Sequence, residues 1–180
     1  MGCDIHMVME YRGMSGAPGA ENEAPWWWAF GGVCNPGRDY ALFNRLAGVR
    51  GPEDGALIPA RGLPAAFSSA VHHEVLLSIA DKPLTAGEVN WEGRSVERAK
   101  ADAWVHGGSS QLVRVGGRDY VTHPDYHSYS WLTLGEYAGV LLDLHARGEQ
   151  LAPGYWAIQA ALATFADRGY EARVVFWFDN

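Results

Sequence analysis

Cysteine is scarce, with two in 180 residues, too few for a secreted disulfide framework. Positive charge is also in deficit: 14 basic residues stand against 21 acidic ones, a net charge of -7. Binders of duplex nucleic acid or membrane surfaces concentrate positive charge, so neither partner is expected. No apolar run approaches the ~20 residues needed to span a bilayer. The first residues hold no basic segment leading into an apolar one, so no signal peptide is expected. Position 6 is His6 rather than the Ser or Thr of a myristoylation signal. Phosphate-loop, dinucleotide and zinc-finger patterns are missing as well. These absences point to a soluble cytoplasmic protein, and the acidic balance fits a small-molecule partner better than a nucleic acid.

An apolar fraction of 48% is that of an ordinary globular core. The length suits one domain, 1–180, within which 81–110 reads as an insertion or irregular region. Eight tryptophans are many for this length, and such rings fill cores or line pockets and interfaces.

Residues 3–11 alternate. Cys3, Ile5, Met7, Met9 and Tyr11 fall on one face and Asp4, His6, Val8 and Glu10 on the other, the period of a half-buried strand. After a loop from Gly13 to Ala24, Trp26 to Val33 reads as a second strand. A hairpin with Tyr11 opposite Trp26 sets Cys3 opposite Cys34, as two thiols or soft metal ligands before a disulfide. Asp39 is placed to cap a helix that buries Leu42, Phe43 and Leu46 and ends at Gly48. From Pro64 to about Ala80 the spacing of Val71, Val75 and Ile79 predicts another helix, and Ser95 is placed to cap a short one reaching Trp104. Gly116-Gly117 joins a hairpin of 111–115 and 118–122. Thr133 and Glu136 form a capping box with Leu132 and Tyr137 as its staple, and Pro153-Gly154 opens the last helix. A β-rich run, Ala172 to Phe178, closes the chain. The order predicts an α+β fold: a mixed, mostly antiparallel sheet, first and last strands neighbours, with helices packed over one face.

The densest chemistry lies in His123-Pro124-Asp125-Tyr126-His127-Ser128-Tyr129-Ser130-Trp131-Leu132. In an extended segment His123, Asp125 and His127 point the same way, and imidazole with carboxylate is a ligand set for zinc or manganese. The alternative is a polar segment whose histidines bond to backbone carbonyls. Asp4 and His6 share the polar face of the first strand. An antiparallel last strand sets Asp179 level with them, on the face that carries Arg173, Val175 and Trp177. Paired carboxylates shift one pKa upward, which suits acid–base work; a solvated strand face is the plain alternative. The candidate catalytic residues are therefore Asp4, His6, Asp125 and His127. The candidate divalent-metal ligands are Asp4, His6, His123, Asp125, His127 and Asp179. Arg38, Arg50 and Arg61 sit beside glycines, where a guanidinium can fork around an anion, although at least two are expected to pair with acids or carbonyls instead. Arg50, Arg61, Ser128, Ser130, Trp131 and Trp177 complete the candidate ligand-binding set. Ser128 lacks nucleophile-elbow glycines, so serine hydrolysis has no sequence context.

Met1-Gly2-Cys3-Asp4-Ile5-His6, the 37–43 stretch, Arg61-Gly62-Leu63-Pro64, the 127–132 stretch and the closing 175–180 stretch together resemble a family of small hypothetical proteins of bacteriophages, prophages and bacteria. The resemblance implies a phage-type context. The residues lead to the expectation of metal-dependent hydrolysis of a small phosphorylated or nucleotide-like molecule. Two alternatives stand beside it: a non-catalytic binder that sequesters a host nucleotide signal as counter-defence, and a module that docks on a host protein. A homo-oligomer stays open.

Overall fold

The computed structural model describes residues 2–13, 25–51, 55–82, 84 and 94–179. Its elements are β1 (Ile5–Gly13), β2 (Trp27–Cys34), α1 (Tyr40–Ala47), α2 (Ser69–Val75), β3 (Leu76–Ala80), β4 (Ser95–Glu97), α3 (Arg98–His106), β5 (Leu112–Val115), β6 (Arg118–Thr122), β7 (Tyr126–Thr133), α4 (Leu134–Ala146), α5 (Pro153–Asp167) and β8 (Tyr170–Asp179). The class is α+β, and the strands divide between two sheets. One is antiparallel throughout, in the order β2-β1-β8-β7. The other runs β4-β3-β6-β5, with β3 and β4 parallel. Among the described residues no helix is long and apolar enough to cross a membrane.

The first and last strands are neighbours, as expected, and form the centre of the first sheet, with His6 opposite Trp177 and Glu10 opposite Arg173. One face of the pair presents Cys3, Ile5, Met7, Met9, Val174, Phe176 and Phe178 to the apolar stripes of α1, α4 and α5. The other face, which a half-buried strand would leave to solvent, is largely buried as well. There Val8, Val175 and Trp177 meet Val71, Val75, Leu76 and Tyr129 from α2, β3 and β7. A strand covered on both faces has nowhere to solvate a polar side chain. Glu10, with no exposed surface, accordingly takes a forked contact from Arg173 at 2.6 and 2.7 Å, while its second oxygen accepts the Ser68 N–H at 2.6 Å. The Arg173 guanidinium also lies 3.7 Å over the Trp26 ring. Burial pulls the Arg173 pKa down, and Glu10 opposes the shift.

Three expectations fail for identifiable reasons. Tyr11 faces Trp27 rather than Trp26, and Cys34 faces Met7 rather than Cys3. Between these pairs β2 runs from Trp28 to Val33 while β1 runs only from Glu10 to Val8. The excess bulges out through Phe30, Gly31 and Gly32 at φ 54°, 81° and 112°. Both cysteines remain thiols, and the Cys34 thiol donates to the Met7 carbonyl at 3.3 Å. The helix expected over 64–80 is seven residues long, capped by Ser68, and the chain extends from Leu76 because β3 pairs with both β6 and β4. Tertiary pairing there overrides a four-residue apolar spacing. Ser95 belongs to β4, and α3 starts after Glu97. The loop expected over 13–24 lies, past Gly13, outside the described residues, as does most of 83–93. Asp39, the Gly116-Gly117 hairpin and the Thr133–Glu136 capping box stand where the sequence places them.

Candidate functional site

The antiparallel register brings Asp4 beside Asp179 at the open end of the β1–β8 pair. The Asp179 N–H donates to the Asp4 carbonyl at 3.2 Å, and the Asp4 N–H donates to Asp179 Oδ1 at 2.9 Å. The other Asp179 oxygen is 3.0 Å from His6 Nε2, so the carboxylate orients the imidazole. Both Asp4 oxygens are taken by Arg38, from the turn after β2, at 2.5 and 2.8 Å. That forked contact holds the Asp4 carboxyl below the usual carboxylate range and raises Arg38 in turn. A side chain at Gly2 would collide with the guanidinium, its Cβ falling 2.6 to 2.9 Å from the terminal atoms of Arg38. Behind Asp4, the Cys3 thiol is pushed up by burial, with Arg50 hydrogen-bonded to it and opposing the shift.

A ring contact leads from this corner to the histidine segment. His6 stacks nearly parallel to Trp177 (5.8 Å between centroids, 10°) and lies 5.3 Å from Tyr126, which lies 4.6 Å from His123. Burial lowers the His123 pKa, and its Nδ1 accepts the Asp125 N–H at 3.3 Å. Burial raises the Tyr126 hydroxyl.

The segment is strand β7 itself rather than a loop ahead of the helix. Tyr126 pairs with Asp179 and His127 with Phe178, which sends their side chains to opposite faces of the sheet. His127 lies on the helix-covered face, its ring 6.1 Å from Phe178, whereas His6 and Asp179 lie on the other face. The six candidate metal ligands are thus split. Asp4, His6 and Asp179 form one corner; His123 and Asp125 lie beyond Tyr126; His127 stands apart. Among the described residues no three of His, Cys, Asp and Glu gather as a metal-holding group.

Between His127 and Ser130, three steps on β7 cover two on β8, and the extra residue sits in a bulge with Ser128 at φ 52°. A left-handed backbone costs a non-glycine residue roughly 1–2 kcal/mol, and such strain collects where a side chain is being aimed. The Ser128 Oγ is 3.0 Å from His127 Nδ1. Both residues, with Asp125 and Tyr126, form one wall of a cleft of about 670 Å³. Ser109, Ser110 and Gln111, from the segment leading into β5, and Thr122, at the end of β6, line it too, together with Ala60, Gly62, Gly108, Pro124 and Tyr129. Two buried hydrogen-bonding atoms of these residues, Ser110 Oγ and His127 Nε2, have no partner among the described residues.

Arg61, Ser130 and Trp131 are held to one another. The Arg61 N–H donates to Ser130 Oγ at 3.2 Å, its guanidinium forks onto Glu136 and lies 4.7 Å over the Trp131 ring. The Glu136 that closes the capping box of α4 thereby also anchors the cleft's rim. Trp177 is fully buried, its indole N–H without a partner among the described residues. Arg38 and Arg61 both pair with acids, as the sequence predicts for at least two of the three arginines. Ser110 and Thr122 carry no sequence signal as site residues, because only the pairing of β6 and the approach of the second sheet bring them to β7.

An α+β protein with a polar cleft between two sheets, beside a histidine–aspartate corner, is what fold and site define. No protein-family model, curated protein or solved structure matches the chain.

Proposed function

We propose that the chain binds a small polar molecule in the cleft along β7, with hydroxyl and amide groups as the recognised chemistry. A wall built from hydroxyl, amide, phenol and imidazole side chains carries this reading. Among the described residues the lining holds serines, a threonine, a glutamine and two tyrosines, and no lysine or arginine. Asp125 repels a phosphate unless a cation intervenes. A nucleotide-like ligand, the kind expected in a phage counter-defence role, therefore inserts its base and ribose and leaves its phosphates outside.

Thermal-shift titration with matched nucleosides and nucleotides tests this. A ligand at a hundred times its Kd adds about 2.7 kcal/mol, a rise of roughly 5–10 °C for a chain of this size. Nucleoside and nucleotide are expected to shift the protein alike. A response confined to the phosphorylated member, or to neither, would sink the proposal.

A second reading draws on the corner, where Asp4, His6 and Asp179 touch through their backbone and side chains. A zinc or manganese ion there would serve hydrolysis by lowering the pKa of bound water, and Arg38 would have to release Asp4. Stoichiometric metal in the purified protein that is lost on Asp179→Asn decides for it.

A further inference from the structure

We propose that Ser128 is a nucleophile with His127 as its general base, and that the pair attacks the carbonyl of an ester or thioester whose polar part occupies the cleft. It rests on the cleft being the binding site, and adds chemistry to it. Oγ and Nδ1 are 3.0 Å apart, the reach at which an imidazole takes a hydroxyl proton. The bulge that gives β7 its extra residue puts a serine, not a glycine, at φ 52° on the cleft wall. A glycine would relax that backbone, so the strained position is occupied by the residue type that brings a hydroxyl.

The electron accounting closes without a redox partner. As the Ser128 Oγ–carbon bond forms, the hydroxyl proton passes to His127 Nδ1 and the carbonyl pair moves onto oxygen. Ser109, Ser110 and Thr122, which line the same cleft, carry the hydroxyls available to that oxyanion. Collapse breaks the bond to the alkoxide or thiolate, which leaves with the proton from Nδ1. Water, deprotonated by the same nitrogen, then cleaves the acyl-serine to a carboxylic acid and restores the hydroxyl. The imidazolium formed in between faces the Phe178 ring, from which its own plane is tilted by 24°. The absence of elbow glycines hides this pair in the sequence, because here a bulge in a strand, rather than a strand-to-helix turn, exposes the serine.

A fluorophosphonate probe on the full chain, read by intact mass and peptide mapping, tests the proposal. One adduct per chain, located on Ser128, is expected. Ser128→Ala should abolish it, and His127→Ala should slow it about 10²–10⁴-fold, the usual contribution of a positioned base. Ser128→Gly relieves the backbone, so it should fold at least as well as wild type and still take no label. Should His127→Ala fail to fold by circular dichroism, His127→Gln preserves the ring site's polarity and is read in its place. No adduct on the folded wild type, or an adduct whose rate ignores the His127 substitution, overturns the proposal. If label is absent while nucleosides still shift the melting temperature, the binding cleft stands and only the chemistry falls. If label forms and no polar ligand binds, the nucleophile–base pair stands, and the placing of the substrate's polar part in the cleft falls with the binding proposal.

Discussion

At the residue scale, the largest electrostatic commitment is Glu10 with Arg173, the first fully buried and the second nearly so. Removing one partner strands the other's charge, which costs about 3–5 kcal/mol in such settings. Glu10→Ala should lower the urea midpoint accordingly, with an unchanged slope, and denaturation monitored by tryptophan fluorescence measures it. Glu136 gives the opposite kind of effect, one tuned by acidity. Arg61 and, to a lesser degree, Thr133 hold its pKa at about 2, well under the ordinary 4.5. A depressed carboxyl contributes stability that is fully present above the ordinary value and disappears as pH falls through the folded one. Acid titration of wild type should show a loss between pH 4.5 and about 2 that is smaller in Glu136→Gln. Because Glu136 is partly exposed, added salt should shrink the difference. His127→Ala, by contrast, should leave the melting temperature close to wild type and abolish nucleoside binding. An unfolded variant would make β7 purely architectural.

At the element scale, what can be read before folding depends on how local its cause is. The caps at Asp39 and Thr133, the glycine pair between β5 and β6 and the alternation of β1 are each written within a few neighbouring residues, and each is found in place. The pairing of β1 with β8 is expected from their matching polar faces, with Asp179 level with Asp4 and His6, and Asp179 does bond to both. Non-local causes are not legible. Ile79 repeats after Val75 at helical spacing, yet β3 forms because two other strands receive it. The Cys3–Cys34 juxtaposition fails because the left-handed run at Phe30 to Gly32 consumes residues that a straight hairpin would have paired. The same bulge argument governs the site. His127 and His6 look like companions in the sequence, but one step of register in β7 assigns them to opposite faces. Thr133→Ala tests the cap directly: losing it should cost about 0.5–2 kcal/mol. It should also loosen the cleft, because Glu136 then has only Arg61 to hold it; amide hydrogen exchange at residues 60–63 and 130–136 reports both.

At the scale of the molecule, the first sheet is a partition. Helices α1, α4 and α5 close one side, while α2 and the second sheet close the other and leave the cleft at their junction with β7. The corner at Asp4, His6 and Asp179 and the bulge at Ser128 therefore belong to one end of one sheet but address different volumes. Tyr126 touches both, since it lies against His6 and also lines the cleft. Tyr126→Ala should weaken ligand binding and also change the His6 resonance in the NMR spectrum. An effect on only one of the two would show that the volumes act independently.

His6 and Asp179 are 173 positions apart in the chain, and the strands that carry them are hydrogen-bonded neighbours at the sheet's centre. On a ribosome adding about 5–20 residues per second, β1 emerges and then waits on the order of 10–35 seconds for the strand it needs. Through that interval its Ile5, Met7, Val8 and Met9 have no completed sheet to enter. A nascent chain halted before β8 is therefore expected to be cut readily within β1 by protease, whereas the finished chain, with β8 in place, is expected to resist.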